Sequence, residues 1–313
     1  MAGATNTGPV RTEPFEESEN RRGPVGLHSS SLNNYRLLNN TPGTVGRNDV
    51  SDWLGTGALG HSLSISNQSV SRSVIHSISP VEFAEAYHNV RVSFLDPQSG
   101  YARSASADVH IYNNNGISRH RANMHEKELL VSYIRRELRR AGGLGLINTD
   151  AQHKLQIAKA FYGKGAPEDF AVALAYALRI GRTAPGGLQN YCDRRAKLGV
   201  DCSGFVNAYF LKTGRISAER PISRYERGIL RASQDDIQAL DVLIWQNSSH
   251  IAVIDHVIAN SNPRKMVVVE SAESKDGLSI SEYTVLQVRD NIFQVDRGEG
   301  GGRPGPVKIV EVR

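Results

Sequence analysis

The sequence predicts an α+β protein in which the helices come first and the strands second. Three observations carry that expectation. Between residues 126 and 212, apolar residues recur at helical spacing in successive segments, each closed by a capping or glycine signal. From residue 241 onward the spacing changes to period two, and β-branched residues take over. From residue 126 to the C-terminus the change happens once, which separates an α+β domain from an alternating parallel one.

Residues 1–78 are rich in Ser, Asn, Gly and Thr and show no sustained apolar period, as in SSSLNNYRLLNNTPG. Such a stretch buries too little apolar surface to offset the entropy of ordering it. It is expected to be a flexible arm, needed for delivery or targeting and dispensable for chemistry. A small helical and β segment follows over 79–148. It holds a helical turn or two in SPVEFAEAYHNV, then VRVSFL and ADVHIY as strand-like alternations. Its last element, 126–143, is an amphipathic helix in which Leu130, Ile134 and Leu138 recur and Gly142 and Gly143 close the run. The Arg-rich back of that helix suits phosphate or lipid headgroups, or simply water.

The main domain is expected over 149–313. DAQHKLQIAKAFYG has Asp150 as its cap, and PEDFAVALAYALRIG has Pro167 at its first turn and Gly181 as its stop. Cys202 opens a further helix, with Asp201 as N-cap, Phe205, Ala208, Tyr209 and Leu211 on one face, and Lys212, Thr213 and Gly214 as its end. DVLIW, HIAVIDHVI, KMVVVES, LSISEY and VKIVEV then read as antiparallel strands, with NSNPR and SKDG as turns.

Composition sets bounds on function. The 313 residues hold ample core, and no stretch reaches the roughly 18 uncharged apolar residues of a membrane span. The N-terminus has neither the basic region nor the apolar region of a secretory signal, so the expectation is a soluble protein that a specialised route would have to export. A net charge of +5 is too small an excess to imply specific nucleic-acid binding. With no HExxH and no cysteine pair at zinc spacing, neither a metal nor a cofactor is expected.

The chemistry centres on GVDCSGFVNAYF (199–210). A thiol in the first turn of a helix meets the positive end of the dipole and unpaired N–H groups, which favour an anion there. The other cysteine, Cys192, is either a bystander or a disulfide partner in an oxidising compartment; the bystander is preferred because a bridge would consume the nucleophile. A cysteine nucleophile needs a base and a group to orient it. His28, His61 and His76 lie in the arm, and His88, His110, His120, His125 and His153 read as surface residues. His250 and His256 remain, on one strand and about 20 Å apart, so only one of them can serve the thiol.

The order DCSGF, DVLIW, HIAVI resembles the NlpC-type papain-like cell-wall peptidases, and VVVES resembles the strand-ending acid of the related CHAP amidases. The resemblance covers about residues 165–290. It implies a papain-like domain with helices packed on an antiparallel sheet. It also implies Cys202 as nucleophile, His250 as general base and acid, and Glu270 as the residue that orients the imidazole. Tyr191 falls near a family tyrosine that lines the cleft and helps hold the oxyanion. Three features depart from the pattern, one of them the mild change to Ala252 where the family often has glycine after the histidine pair. Leu240 stands where the family has glycine, and a turn centred near Asn262 would pair Glu270 with Ile254, leaving Glu273 and Ser271 as competitors for the third role. The implied activity is a cysteine amidase or endopeptidase acting on the peptide part of peptidoglycan, as an antibacterial effector or lysin, with a secretion apparatus and a cognate immunity protein as partners. The alternatives are a cysteine acyltransferase or protease acting on a host protein or lipid, and a degenerate binder.

Overall fold

The computed structural model describes residues 78–95, 101–113, 121–140, 147–289, 291–298 and 304–313. The arm expected over 1–78 therefore lies almost wholly outside the described residues, as do Gly142 and Gly143. The architecture is α+β. Helices α1 (Pro80–His88), α2 (Arg121–Arg140), α3 (Ile147–Phe161), α4 (Pro167–Arg179) and α5 (Cys202–Lys212) accompany a two-stranded ribbon and a seven-stranded antiparallel sheet. The ribbon pairs β1 (Val90–Leu95) with β2 (Ala102–Ala107).

The sheet contains β3 (Ile229–Leu230), β4 (Val242–Trp245), β5 (Ile251–Ile258), β6 (Lys265–Ala272), β7 (Gly277–Arg289), β8 (Ile292–Asp296) and β9 (Gly305–Glu311). Their order is β3-β9-β4-β5-β6-β7-β8, and β8 also pairs with β9, so β4 to β9 close on themselves and β3 adds to the outside of β9. The resemblance implied helices packed on an antiparallel sheet; the sheet is antiparallel and closes into a barrel. Bulges make the closure possible, because each bends and twists its strand. One lies between Ile254 and His256 in β5 and another between Val285 and Gln287 in β7. The second divides a 13-residue strand whose first part pairs with β6 and whose later part pairs with β8.

Side-chain alternation then makes two cores. Val242, Ile244, Ile251, Val253 and Val269 face the helices and join Phe205, Phe170 and Phe83. Leu243, Ala252, Ile254, Met266 and Val268 face the barrel interior with Tyr283 and Phe293. Buried on both faces, β4 reads as a continuous apolar run.

Several elements differ from the sequence expectation. SPVEFAEAYHNV forms a full helix closed by a capping box between Ser79 and Glu82. That helix is part of the core: Phe83 and Tyr87 pack against Phe205, and the Tyr209 hydroxyl donates to Ile78 O at 3.0 Å. A division at residue 148 would cut α3, and residues on both sides share one core cluster. ADVHIY is not a strand. The partner of β1 is ARSASA, while Val109 is buried in a connector that bridges Tyr112 to Val200. Asp150 lies inside α3 instead of capping it, and α2 starts five residues before the expected Glu126, at Arg121. Helix α5 is buried on nearly every side rather than amphipathic, because β5 and β6 pack on it and so do Phe83 and Tyr87 of α1.

The DCSG motif has a packing reason as well as a chemical one. Asp201 caps α5 through Gly204 N at 2.5 Å, and its own N–H donates to Gly163 O at 2.9 Å. Lys164 completes the junction, bonding Ser203 Oγ and ion-pairing with Asp201. A Cβ on Gly204 would run into the Gly163 carbonyl. Gly204→Ala is therefore expected to destabilise the fold by at least about 1–3 kcal/mol, read as a fall in unfolding midpoint.

Candidate active site

Cys202 occupies the first position of α5 and is 6% exposed. His250 sits just before β5, at the barrel mouth, and its Nε2 lies 2.6 Å from Glu270 Oε2. The Cys202 side chain lies close enough to the same ring to interact with it electrostatically. With Nε2 committed to Glu270, Nδ1 is the nitrogen left for the thiol. The imidazole is thus bonded to the carboxylate and sits beside the thiol.

The β5 bulge decides which acid reaches the ring. The strands pair Ile258 with Lys265 above it and Val253 with Val269 below it. Asp255 is the extra residue, so one further step puts Glu270 opposite Ala252, two residues nearer to His250 than a regular ladder turning at Asn262 would bring it. Alternation carries Glu270 to the same side as Val268 and Met266, inside the barrel end. The competitors are engaged elsewhere: Ser271 Oγ donates to Val200 O at 2.6 Å, and Glu273 is exposed in a short turn. His256 is also apart, its side chain 56% exposed and paired with Asp255 at 2.8 Å.

Glu270 is fully buried, and its partners explain how a charge is held there. Oε2 also accepts from Arg297 at 2.5 Å, and Oε1 accepts from the Tyr283 hydroxyl. Arg297 donates in turn to the Tyr283 oxygen at 3.0 Å and lies over the Trp245 ring. Trp245 meets the His250 ring edge-on, with centroids 4.7 Å apart. Burial would raise the Glu270 carboxyl, but His250, Arg297 and Tyr283 outweigh it and lower its pKa. Burial likewise pushes the His250 imidazole down; its interactions with Cys202 and Glu270 overcome that and raise it to about 9.

Sequence reading did not single out Arg297 or Tyr283. Tyr283 was legible as the end of LSISEY, but its hydroxyl's target depends on barrel closure. Arg297 follows β8, which carried no strand assignment. The opposite holds for Tyr191, expected to line the cleft. It lies in a turn of π-helix (Tyr191–Ala196), is buried, and its hydroxyl donates to Glu126 at 3.4 Å, beside Arg182 and Arg195 on the same carboxylate. Leu240, in the place of the family glycine, adopts φ 70°, the left-handed conformation that glycine adopts without strain. Asp241 after it is buried against Arg231 in a two-pronged ion pair.

Both cysteines are free. Cys192 is fully buried, and burial with nearby Asp193 pushes its thiol up to about 12. At neutral pH a thiol-alkylating reagent is therefore expected to modify Cys202 and leave Cys192 unmodified until the protein unfolds; peptide mass spectrometry after a time course reads both sites.

No family model matches the chain, and no curated protein matches it. A solved structure that does match is that of the peptidoglycan hydrolase RipB from Mycobacterium tuberculosis. It is 13% identical, covers 65% of this chain and 96% of that one, and superposes with a TM-score of 0.25. That score is too low to support an argument about fold or function.

Proposed function

We propose that the chain is a cysteine amidase or endopeptidase that hydrolyses an amide bond in the peptide part of peptidoglycan. The observation that carries the reaction class is the His250 ring bonded to Glu270 and lying within electrostatic reach of the Cys202 thiol at the start of α5. The substrate class rests on the resemblance of DCSGF, DVLIW and HIAVI to cell-wall peptidases. In this reading the Cys202 sulfur attacks the amide carbonyl carbon, and the resulting oxyanion meets N–H groups at the start of α5. The His250 imidazolium gives its proton to the leaving nitrogen, the C–N bond breaks, and an amine departs from a thioester. Neutral His250 then takes a proton from water, whose oxygen attacks the thioester carbon. Breaking the C–S bond releases a carboxylic acid and returns the thiolate–imidazolium pair. Glu270 fixes the tautomer and stabilises the imidazolium, and Arg297 and Tyr283 hold Glu270 in place.

Among the described residues no helix is long and apolar enough to cross a membrane. Action on the wall, after export by a specialised secretion system and with an immunity protein protecting the producer, fits this reading. Digestion of purified peptidoglycan, followed by mass spectrometry of the soluble fragments, tests it. The expected result is one new amine and one new carboxylate at a single amide of the stem peptide. Intact peptidoglycan, together with acylation or cleavage of a protein or lipid substrate, would replace the wall reading with the host-directed one.

A further inference from the structure

On the face that carries the β1–β2 ribbon, a second group of polar side chains converges. His88 ends α1, and Asp108 and His110 lie in the connector after β2. His110 Nδ1 is 2.6 Å from Asp108 Oδ1, and His88 Nδ1 is 3.1 Å from the same oxygen. The two imidazoles stack at 24° with centroids 5.4 Å apart, and one donor atom from each residue falls within 4.8 Å of the others. We propose that His88, Asp108 and His110 bind a divalent first-row transition cation of the zinc class.

The donor set suits such an ion. Two imidazole nitrogens and one carboxylate oxygen match zinc, nickel or copper better than magnesium or calcium, which prefer oxygen alone. Three protein ligands leave further positions for water. Ligands about 2.0–2.2 Å from a metal stand roughly 3.0–3.5 Å from one another. The His88–Asp108 separation already meets that spacing, and the His110–Asp108 pair needs to open by only about half an ångström. As simple ion pairs these contacts would contribute little, because all three side chains are more than a third exposed.

The backbone is fixed independently of any ion. Gln189 clamps Asp108 from both sides, its Oε1 accepting from Asp108 N at 2.8 Å and its Nε2 donating to Asp108 O at 3.1 Å. Val109 N donates to Tyr87 O at 2.9 Å, tying the connector to the end of α1. His110 O accepts from Leu278 N at 2.7 Å, at the start of β7. Gln189 Nε2 also bonds Asp193 at 2.9 Å, which adds negative charge beside the site. The same connector bonds Val200 through Ile111 O and Asn113 N, two residues before Cys202. A bound cation would therefore fasten α1 to the strap behind the nucleophile, as a stabilising clamp and not as a participant in acyl transfer.

The test is calorimetric titration of the chelator-stripped, full-length protein with Zn²⁺, repeated for His88→Gln and His110→Gln. Visible absorption of the Co²⁺ form is recorded alongside. One Zn²⁺ per chain at micromolar Kd or tighter is expected, weakened at least tenfold in either variant. Nitrogen and oxygen ligation should appear in the Co²⁺ spectrum, and Zn²⁺ at about 100 times Kd should raise the unfolding midpoint by roughly 5–10 °C. Binding no tighter than millimolar, or affinity unchanged from the parent in either variant, overturns the proposal. So does a sulfur-to-cobalt charge-transfer band that vanishes in Cys202→Ala, since the ion would then sit on the Cys202–His250 pair. None of these readouts depends on turnover, so the proposed hydrolase activity and the metal site stand or fall separately.

Discussion

Cys202→Ala is expected to lower turnover by roughly four to six orders of magnitude while leaving the protein folded. In the proposed reaction the sulfur is the atom that bonds to the substrate carbonyl, and the neighbouring Ser203 Oγ is held by Lys164 and donates to Asp201. Cys192 is a fully buried thiol in a separate π-helical turn. The structural loss is one sulfur atom at a helix start, about 1 kcal/mol, so the unfolding midpoint should move by only a few degrees. Turnover near the parent level in this variant, with Cys192→Ala inactive instead, contradicts the assignment.

His250→Ala is expected to cost at least about a thousandfold in turnover, whereas His256→Ala should stay within about twofold. The two histidines sit on one sequence segment, and the bulge at Asp255 separates their roles. His250 stays on the barrel-mouth side with Glu270, while His256 turns out to solvent. Glu270→Gln should be intermediate, roughly a hundredfold to ten-thousandfold, because the amide can still meet the ring but cannot stabilise its positive charge. It should also destabilise the fold by about 3–5 kcal/mol, since the partly buried Arg297 loses its counter-charge. His250→Ala leaves that ion pair in place. Turnover and unfolding midpoints measured on the same preparations separate these effects.

The perturbed groups also set a pH dependence. The His250 imidazole is raised from 6.5 to about 9 in the folded protein, so the folded state holds this proton more tightly than the unfolded chain does. Its contribution to stability is full below about 6.5 and disappears as pH rises through about 9. Glu270 runs the other way. Its lowered carboxyl contributes above the ordinary value of 4.5 and loses that contribution as pH falls through the lower folded value. Turnover should decline on the alkaline side of about 9, where His250 no longer carries the proton for the leaving amine.

The grouping of Cys202, His250 and Glu270 was more legible in the sequence than what supports it. DCSGF announces a capped helix start, and the strand order places a histidine and an acid after it; these are local signals with local causes. Sheet closure is not local. It arises from bulges at Asp255 and near Leu286 and from the β8–β9 pairing, none of which changes the apolar pattern that identifies a strand. Everything that depends on closure was hidden with it: Tyr283 and Arg297 on Glu270, and the edge of Trp245 against His250. Tyr191 failed for a related reason. Its distance from Cys202 along the chain was informative, but the direction of its hydroxyl is set by Glu126, on a helix 65 residues earlier. ADVHIY failed because alternating residues can line a buried connector as well as a strand; Val109 is buried there without ladder partners of its own.

The central claim is that His250 is an imidazolium held between Cys202 and Glu270 at neutral pH. Titration of the His250 ring by NMR, in the parent protein and in Cys202→Ala, tests it most directly. A midpoint near 9 in the parent is predicted from the ring's interactions with Cys202 and Glu270. It should fall clearly in Cys202→Ala, where the partner that raises it most is gone. A parent midpoint at or below the ordinary 6.5, unchanged in the variant, would contradict the account, because burial alone would then govern the ring.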